Sequence, residues 1–144
     1  MRLHTASEAV SFAKKLENES AELYQDLSRR YAKDKDIFIS FAKENEKNVV
    51  QIERAYYGVI TDAIEGCFDF DIETDEYTFE AVLAPDASYS DALNKASSIE
   101  EKILRFYSDV AQQSDTLMAD VPRTFRLVAK KRDSRRPKLM SLLH

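Results

Sequence analysis

The stretch VSFAKKLENESAELYQDLSRRY, residues 10–31, decides how this chain folds. Val10, Ala13, Glu17, Ser20, Tyr24, Leu27 and Tyr31 recur in it at alternating spacings of three and four, the period of one helix face turned toward a core. With Thr5 or Ser7 placed to cap it, the spacing predicts a helix over about residues 7–31. One member of the stripe, Glu17, is a carboxylate. A buried charge is costly unless partners or a ligand satisfy it, so the stripe raises a question of function together with one of fold.

The same anomaly recurs three times. A second helix, over 36–64, is capped by Asp34 or Asp36 after the polar turn 33–36, and its stripe reads Phe38, Phe41, Asn45, Asn48, Ile52. Tyr56, Val59, Ile60 and Ala63 extend it toward a stop at Glu65-Gly66. A third helix, over 90–114, carries Leu93, Ala96, Glu100, Ile103, Tyr107 and Val110. A fourth, over 121–136, opens at Asp120-Val121-Pro122 and carries Phe125, Val128, Arg132, Arg135, Leu139 and Leu142. Pro137 is expected to kink or end it, and the apolar tail from Leu139 to pack on the helices or on a partner. The chain also repeats itself. Shifted by 83 residues, Leu16-Glu17 matches Ile99-Glu100 and Tyr24 matches Tyr107; shifted by 87, Phe38 matches Phe125 and Asn45/Asn48 matches Arg132/Arg135.

Between the halves, residues 66–90 hold seven acidic residues and no Lys or Arg, interleaved with Phe68, Phe70, Tyr77, Phe79 and Tyr89. A connection this long fits a crossover, over about 65–89, running the length of a helical bundle with its aromatics pinned on it. The acidic spacing does not match a calcium loop, and no Gly sits where such a loop turns. With two Gly and three Pro in 144 residues, turns are too few for a sandwich or barrel. The expectation is one all-α domain: a four-helix bundle of two helical hairpins joined by a long crossover.

Leu16-Glu17-Asn18-Glu19-Ser20-Ala21-Glu22-Leu23-Tyr24 resembles the first helix of the rubrerythrin family of ferritin-like proteins, and Ile99-Glu100 through Phe106-Tyr107 is similar to its third. Phe38 to Ala42 resembles the family's entry into the second helix, and 68–71 with 83–89 its crossover. The resemblance covers about residues 5–143 and implies a ferritin-like bundle with a di-iron site. There each half gives one Glu and one Glu-x-x-His pair. Here those pairs fall on Asn45/Asn48 and Arg132/Arg135, leaving only Glu17 and Glu100 of six ligands. The only histidines, His4 and His144, are terminal, and rubredoxin-type Cys pairs are absent.

Two guanidinium groups cannot be deprotonated to serve as metal ligands. The expectation is therefore a degenerate site: a polar network of Glu17, Asn45, Asn48, Glu100, Arg132 and Arg135 in place of metals, with no cofactor and no catalytic residue. Tyr24 and Tyr107, seven residues beyond the glutamates, read as core tyrosines bonded to a nearby polar group. On this reading Glu17→Ala destabilises more alone than combined with Arg135→Leu. The alternative is a di-iron oxidoreductase acting on peroxide or oxygen with unconventional ligands, Glu44 or Glu46 being brought inward by a distorted helix.

No nucleophile constellation or phosphate loop is present, and the single Cys67 supports no internal disulfide. No apolar run reaches a membrane-spanning length, and the opening Met-Arg-Leu-His-Thr lacks the apolar core of a signal peptide, so a cytoplasmic protein is expected. Residues 122–144 carry eight Lys or Arg against one Asp, a net of +7, which leaves −12 on the rest of a chain whose total is −5. Lys130, Lys131, Arg136 and Lys138 would lie outward. They suit a solvated face, or docking on the acidic crossover of the same chain or a second subunit, better than nucleic acid, since no base-stacking aromatics accompany them. A homodimer, or a structural or partner-binding role with another protein, is the expected mode of action.

Overall fold

The computed structural model describes residues 2–59, 71–114 and 120–143. Helix α1 (Ala6–Arg30) starts at a reciprocal cap: the Glu8 N–H donates to Thr5 Oγ1 and the Thr5 N–H donates to Glu8 Oε1, both at 3.1 Å. This satisfies two of the amide donors that a helix start leaves free. A single 3-10 turn, Ala32–Asp34, leads into α2 (Lys35–Val59). Helix α3 (Tyr89–Ser114) follows the connection, then α4 (Asp120–Asp133) and the short α5 (Arg135–Ser141). Among the described residues the fold is all-α apart from a two-residue ladder, β1 (Arg2–Leu3) antiparallel to β2 (Ile72–Glu73).

One expectation needs correction. The fourth helix does not run unbroken to 136: it stops at Asp133, turns at Ser134 and restarts as α5. Pro137 explains the place. It offers no N–H to the carbonyl four residues back, that of Asp133, and its ring would crowd that oxygen. The connection holds β2 and a 3-10 turn, Thr74–Glu76. The expected continuation of α2 through Ile60 and Ala63, its stop at Glu65-Gly66, and Cys67, Phe68, Phe70 and His144 lie outside the described residues.

α1 packs along α2, α3 along α4, and further contacts join α2 to α4, α1 to α3 and α3 to α5. The apolar stripes meet between them. Phe12 meets Phe106 edge-on at 5.1 Å between ring centres, Tyr24 meets Phe41 in the same way at 5.1 Å, and Tyr107 lies against Phe125 at 5.5 Å. Such pairs add roughly 0.5–1.5 kcal/mol each to what area burial supplies.

The connection lies over α1 and α3. Ile72, Tyr77 and Leu83 are buried beneath it. Arg2 of β1 pairs with Asp71 and Glu73, and cations of those two helices donate to its backbone. Arg30 reaches Ala84 O at 2.8 Å, Lys95 reaches Val82 O at 2.7 Å, Lys102 reaches Thr78 O at 3.0 Å and Arg105 reaches Glu76 O at 2.7 Å. Tyr77 and Tyr89 donate their hydroxyls to Asp109 and Asp34, the latter just before α2. No described helix is long and apolar enough to cross a membrane.

Candidate functional site

At mid-height the stripes stop being apolar. Glu17 from α1, Asn45 and Asn48 from α2, Glu100 from α3, Arg132 from α4 and Arg135 from α5 are each no more than 1% exposed. Arg132 and Arg135 are the largest fully buried side chains among those described. All six share one hydrogen-bonded layer.

Arg132 organises it. Its guanidinium grips Glu17 with two bonds, Nε to Oε1 at 3.0 Å and Nη2 to Oε2 at 2.8 Å, the bidentate fork that suits Arg to a carboxylate. Nη1 donates to Glu100 Oε2 at 2.5 Å, and Nη2 also donates to Asn45 Oδ1 at 3.1 Å. One side chain of α4 thereby reaches a residue on each of α1, α2 and α3. Arg135 donates to Glu100 Oε1 at 3.1 Å, to Glu44 Oε1 at 2.9 Å and to the Phe41 carbonyl at 3.2 Å, with its guanidinium over the Phe41 ring at 4.9 Å. The partner of Glu17 is thus Arg132 and not Arg135, so the informative double substitution pairs Glu17 with Arg132.

The tyrosines cross over. Tyr24 on α1 donates to Glu100 on α3 at 2.6 Å, and Tyr107 on α3 donates to Glu17 on α1 at 2.7 Å. The repeat seen in sequence thus becomes an exchange, each half bonding the other's carboxylate. The amides are less complete. Asn45 Nδ2 donates to Ser20 Oγ at 3.2 Å, and Asn48 Nδ2 reaches Glu17 Oε1 only at 3.5 Å. Asn48 Oδ1 meets no donor among the described residues.

No helix distortion is needed to bring Glu44 to the site. It joins at the rim from an undistorted position, its side chain 35% exposed, because Arg135 is long enough to reach it. The signal available was its place beside Asn45. His4 is exposed, and its backbone N–H donates to Glu8. Among the described residues no three His, Cys, Asp or Glu side chains are grouped to hold a metal ion.

Burial and charge act together on the protons here. Burial pushes the Glu100 carboxyl up, but the Arg132 and Arg135 charges, with hydrogen bonds from Tyr24 and Arg132, outweigh it and hold the carboxyl below its ordinary value. Burial, reinforced by the neighbouring carboxylates, holds the Tyr24 and Tyr107 phenols well above theirs. For Arg132, burial favours deprotonation but Glu100 and Glu17 overcome it, raising the group well above its usual value. These four groups all titrate away from neutrality, whereas an acid–base catalyst works best poised near the working pH.

A lowered carboxyl contributes stability that is present above the unfolded value, about 4.3, and lost as pH falls through the folded value. The denaturant midpoint should therefore be steady from neutrality to about pH 5 and fall below about pH 4.3. Glu100→Gln should flatten that acid limb. An unchanged limb would show that the Glu100 proton is not coupled to folding.

Compared with family models, with curated proteins and with solved structures, the chain matches none.

Proposed function

We propose that this protein is a rubrerythrin-like, ferritin-like four-helix bundle of two hairpins joined by a long crossover, in which a Glu–Asn–Arg network stands where the family holds two irons. It acts in the cytoplasm without redox catalysis, through a structural or partner-binding role. The observation that carries this reading is the Arg132 guanidinium, fully buried and bonded to both glutamates that a di-iron site would use. The residues present do not fit such a centre. Three carboxylate oxygens are occupied by Arg132 and a fourth by Arg135, and two fixed positive charges sit beside them. Glu17 and Glu100 against Arg132 and Arg135 make a layer neutral by itself, and a pair of cations added there would meet two more.

The test is metal content. Protein expressed in iron-supplemented medium and then loaded anaerobically with ferrous ion is expected to hold fewer than about 0.1 metals per chain by elemental mass spectrometry, against about two for an intact di-iron bundle. Two irons per chain would overturn the reading and return the alternative of a peroxide- or oxygen-reducing enzyme.

A further inference from the structure

A groove of about 710 Å³ lies between α2 and α4, lined by Lys43, Lys47, Arg54 and Lys131 around Val50, with Glu46 as its one carboxylate. A second hollow of about 560 Å³ continues it past the same Lys43, Lys47 and Lys131 to Asp36 and Glu44. Val50 is 46% exposed at its floor. Lys131 is steered to Gln51 at 2.6 Å, while Lys43, Lys47 and Arg54 are paired with none of the described carboxylates.

A different face carries the complement. The cations under the connection bond its carbonyls, which leaves the Glu76, Glu80 and Asp86 carboxylates outward and exposed. Val82, close to Glu80 in sequence, stands 73% exposed beside Glu22 of α1 at a hollow of about 300 Å³ bordered by Arg29 and the paired Asp26 and Arg30. The Glu19 carboxyl feels this concentration of charge. Burial raises it first, Lys15 opposes, and Glu22 and Glu80 add smaller upward pushes. Among the described residues, one face thus sets Val50 beside the unpaired cations Lys43, Lys47 and Arg54, and another sets Val82 beside the unpaired carboxylates Glu22 and Glu80, with Arg29 and the Asp26–Arg30 pair at its edge.

We propose that copies of this chain associate head to tail, the Glu22–Glu80–Val82 surface of one seating in the α2–α4 groove of the next. A two-fold contact of groove on groove would set Lys43 and Lys47 against themselves. A phosphate backbone would meet Glu46 and leave Val50 uncovered, whereas a discrete acidic patch with its own apolar centre covers both. Head-to-tail contacts extend unless the rotation closes a ring. The inference rests on the reading that this protein works through protein contacts. Metal counting tests that reading and sedimentation tests this one, so the two fail separately.

Sedimentation of the full chain should show mass rising with concentration and falling with added salt. Lys43→Glu/Lys47→Glu destroys the groove, and Glu22→Ser/Glu80→Ser/Val82→Ser erases the acidic surface. These are exposed positions, so circular dichroism should stay unchanged, while each variant alone loses at least about tenfold in self-association. Mixed one to one, the two variants retain a single intact groove and a single intact surface between them. They should form a pair and stop. A wild-type chain still monomeric near about 1 mM, a variant that still associates, or a mixture that stays monomeric would overturn the proposal. So would a labelled DNA duplex that binds the wild type and not the groove variant, since the groove would then belong to nucleic acid.

Discussion

Arg132→Met is expected to lower the unfolding free energy by ~3–5 kcal/mol, the cost of leaving a buried charge without its partner. Methionine fills most of the volume, so the loss reports charge more than cavity. Glu17 would keep only the Tyr107 hydroxyl and the long Asn48 contact, while Glu100 would keep Arg135 and Tyr24. Adding Glu17→Leu should then recover about half of the loss, a coupling on the order of 2 kcal/mol. Recovery should not be complete, because Tyr107 would lose its acceptor in a fully buried place. Urea denaturation of the wild type, both single variants and the double variant closes the cycle. A double variant as unstable as Arg132→Met would mean that Glu17 carries no uncompensated charge once Arg132 is gone, and the buried ion pair would not be the organising element of the layer.

The opposite experiment has an effect at least as large. Asn45→Glu, Asn48→His, Arg132→Glu and Arg135→His together install one Glu and one Glu-x-x-His pair per half around Glu17 and Glu100. Without metal this variant gathers four carboxylates and no cation in a dry layer, and it should be largely unfolded at neutral pH. Refolded with ferrous ion under anaerobic conditions, it should take up about two irons per chain and regain its helical signal, the metal free energy becoming folding free energy. A variant that folds well without metal, or that folds and takes up none, would show that these six positions do not converge as the corners of a di-iron bundle do.

Much of this was legible because a helix stripe has a fixed period. Once Val10 to Tyr31 was read at spacings of three and four, Glu17 had to face inward, and the same logic placed Asn45, Asn48, Glu100, Arg132 and Arg135. Which guanidinium meets which carboxylate was not legible. That depends on the axial offset between helices and on the reach of a long side chain, and neither is written in periodicity. Glu44 escaped for the same reason: it sits one residue off the stripe, and only the length of Arg135 brings it in. The break at Ser134 escaped because Pro acts on the carbonyl four residues before it, so the damage appears upstream of Pro137. The β1–β2 ladder, two residues on each side, is too short to leave an alternating pattern.

Arg132 touches all three of the other long helices, and this constrains the order in which the molecule can form. If α1, α2 and α3 closed before α4 arrived, Glu17 and Glu100 would be sealed together with no countercharge, so that closure is opposed by several kcal/mol for each ion. Those three helices are therefore expected to hold an open, hydrated cleft until α4 docks. The arrival of α4 brings the charge that lets the cleft expel its water, so docking of the last helix and drying of the core are one event. A chain ending before residue 120 would stay wet and loose, however good its apolar stripes.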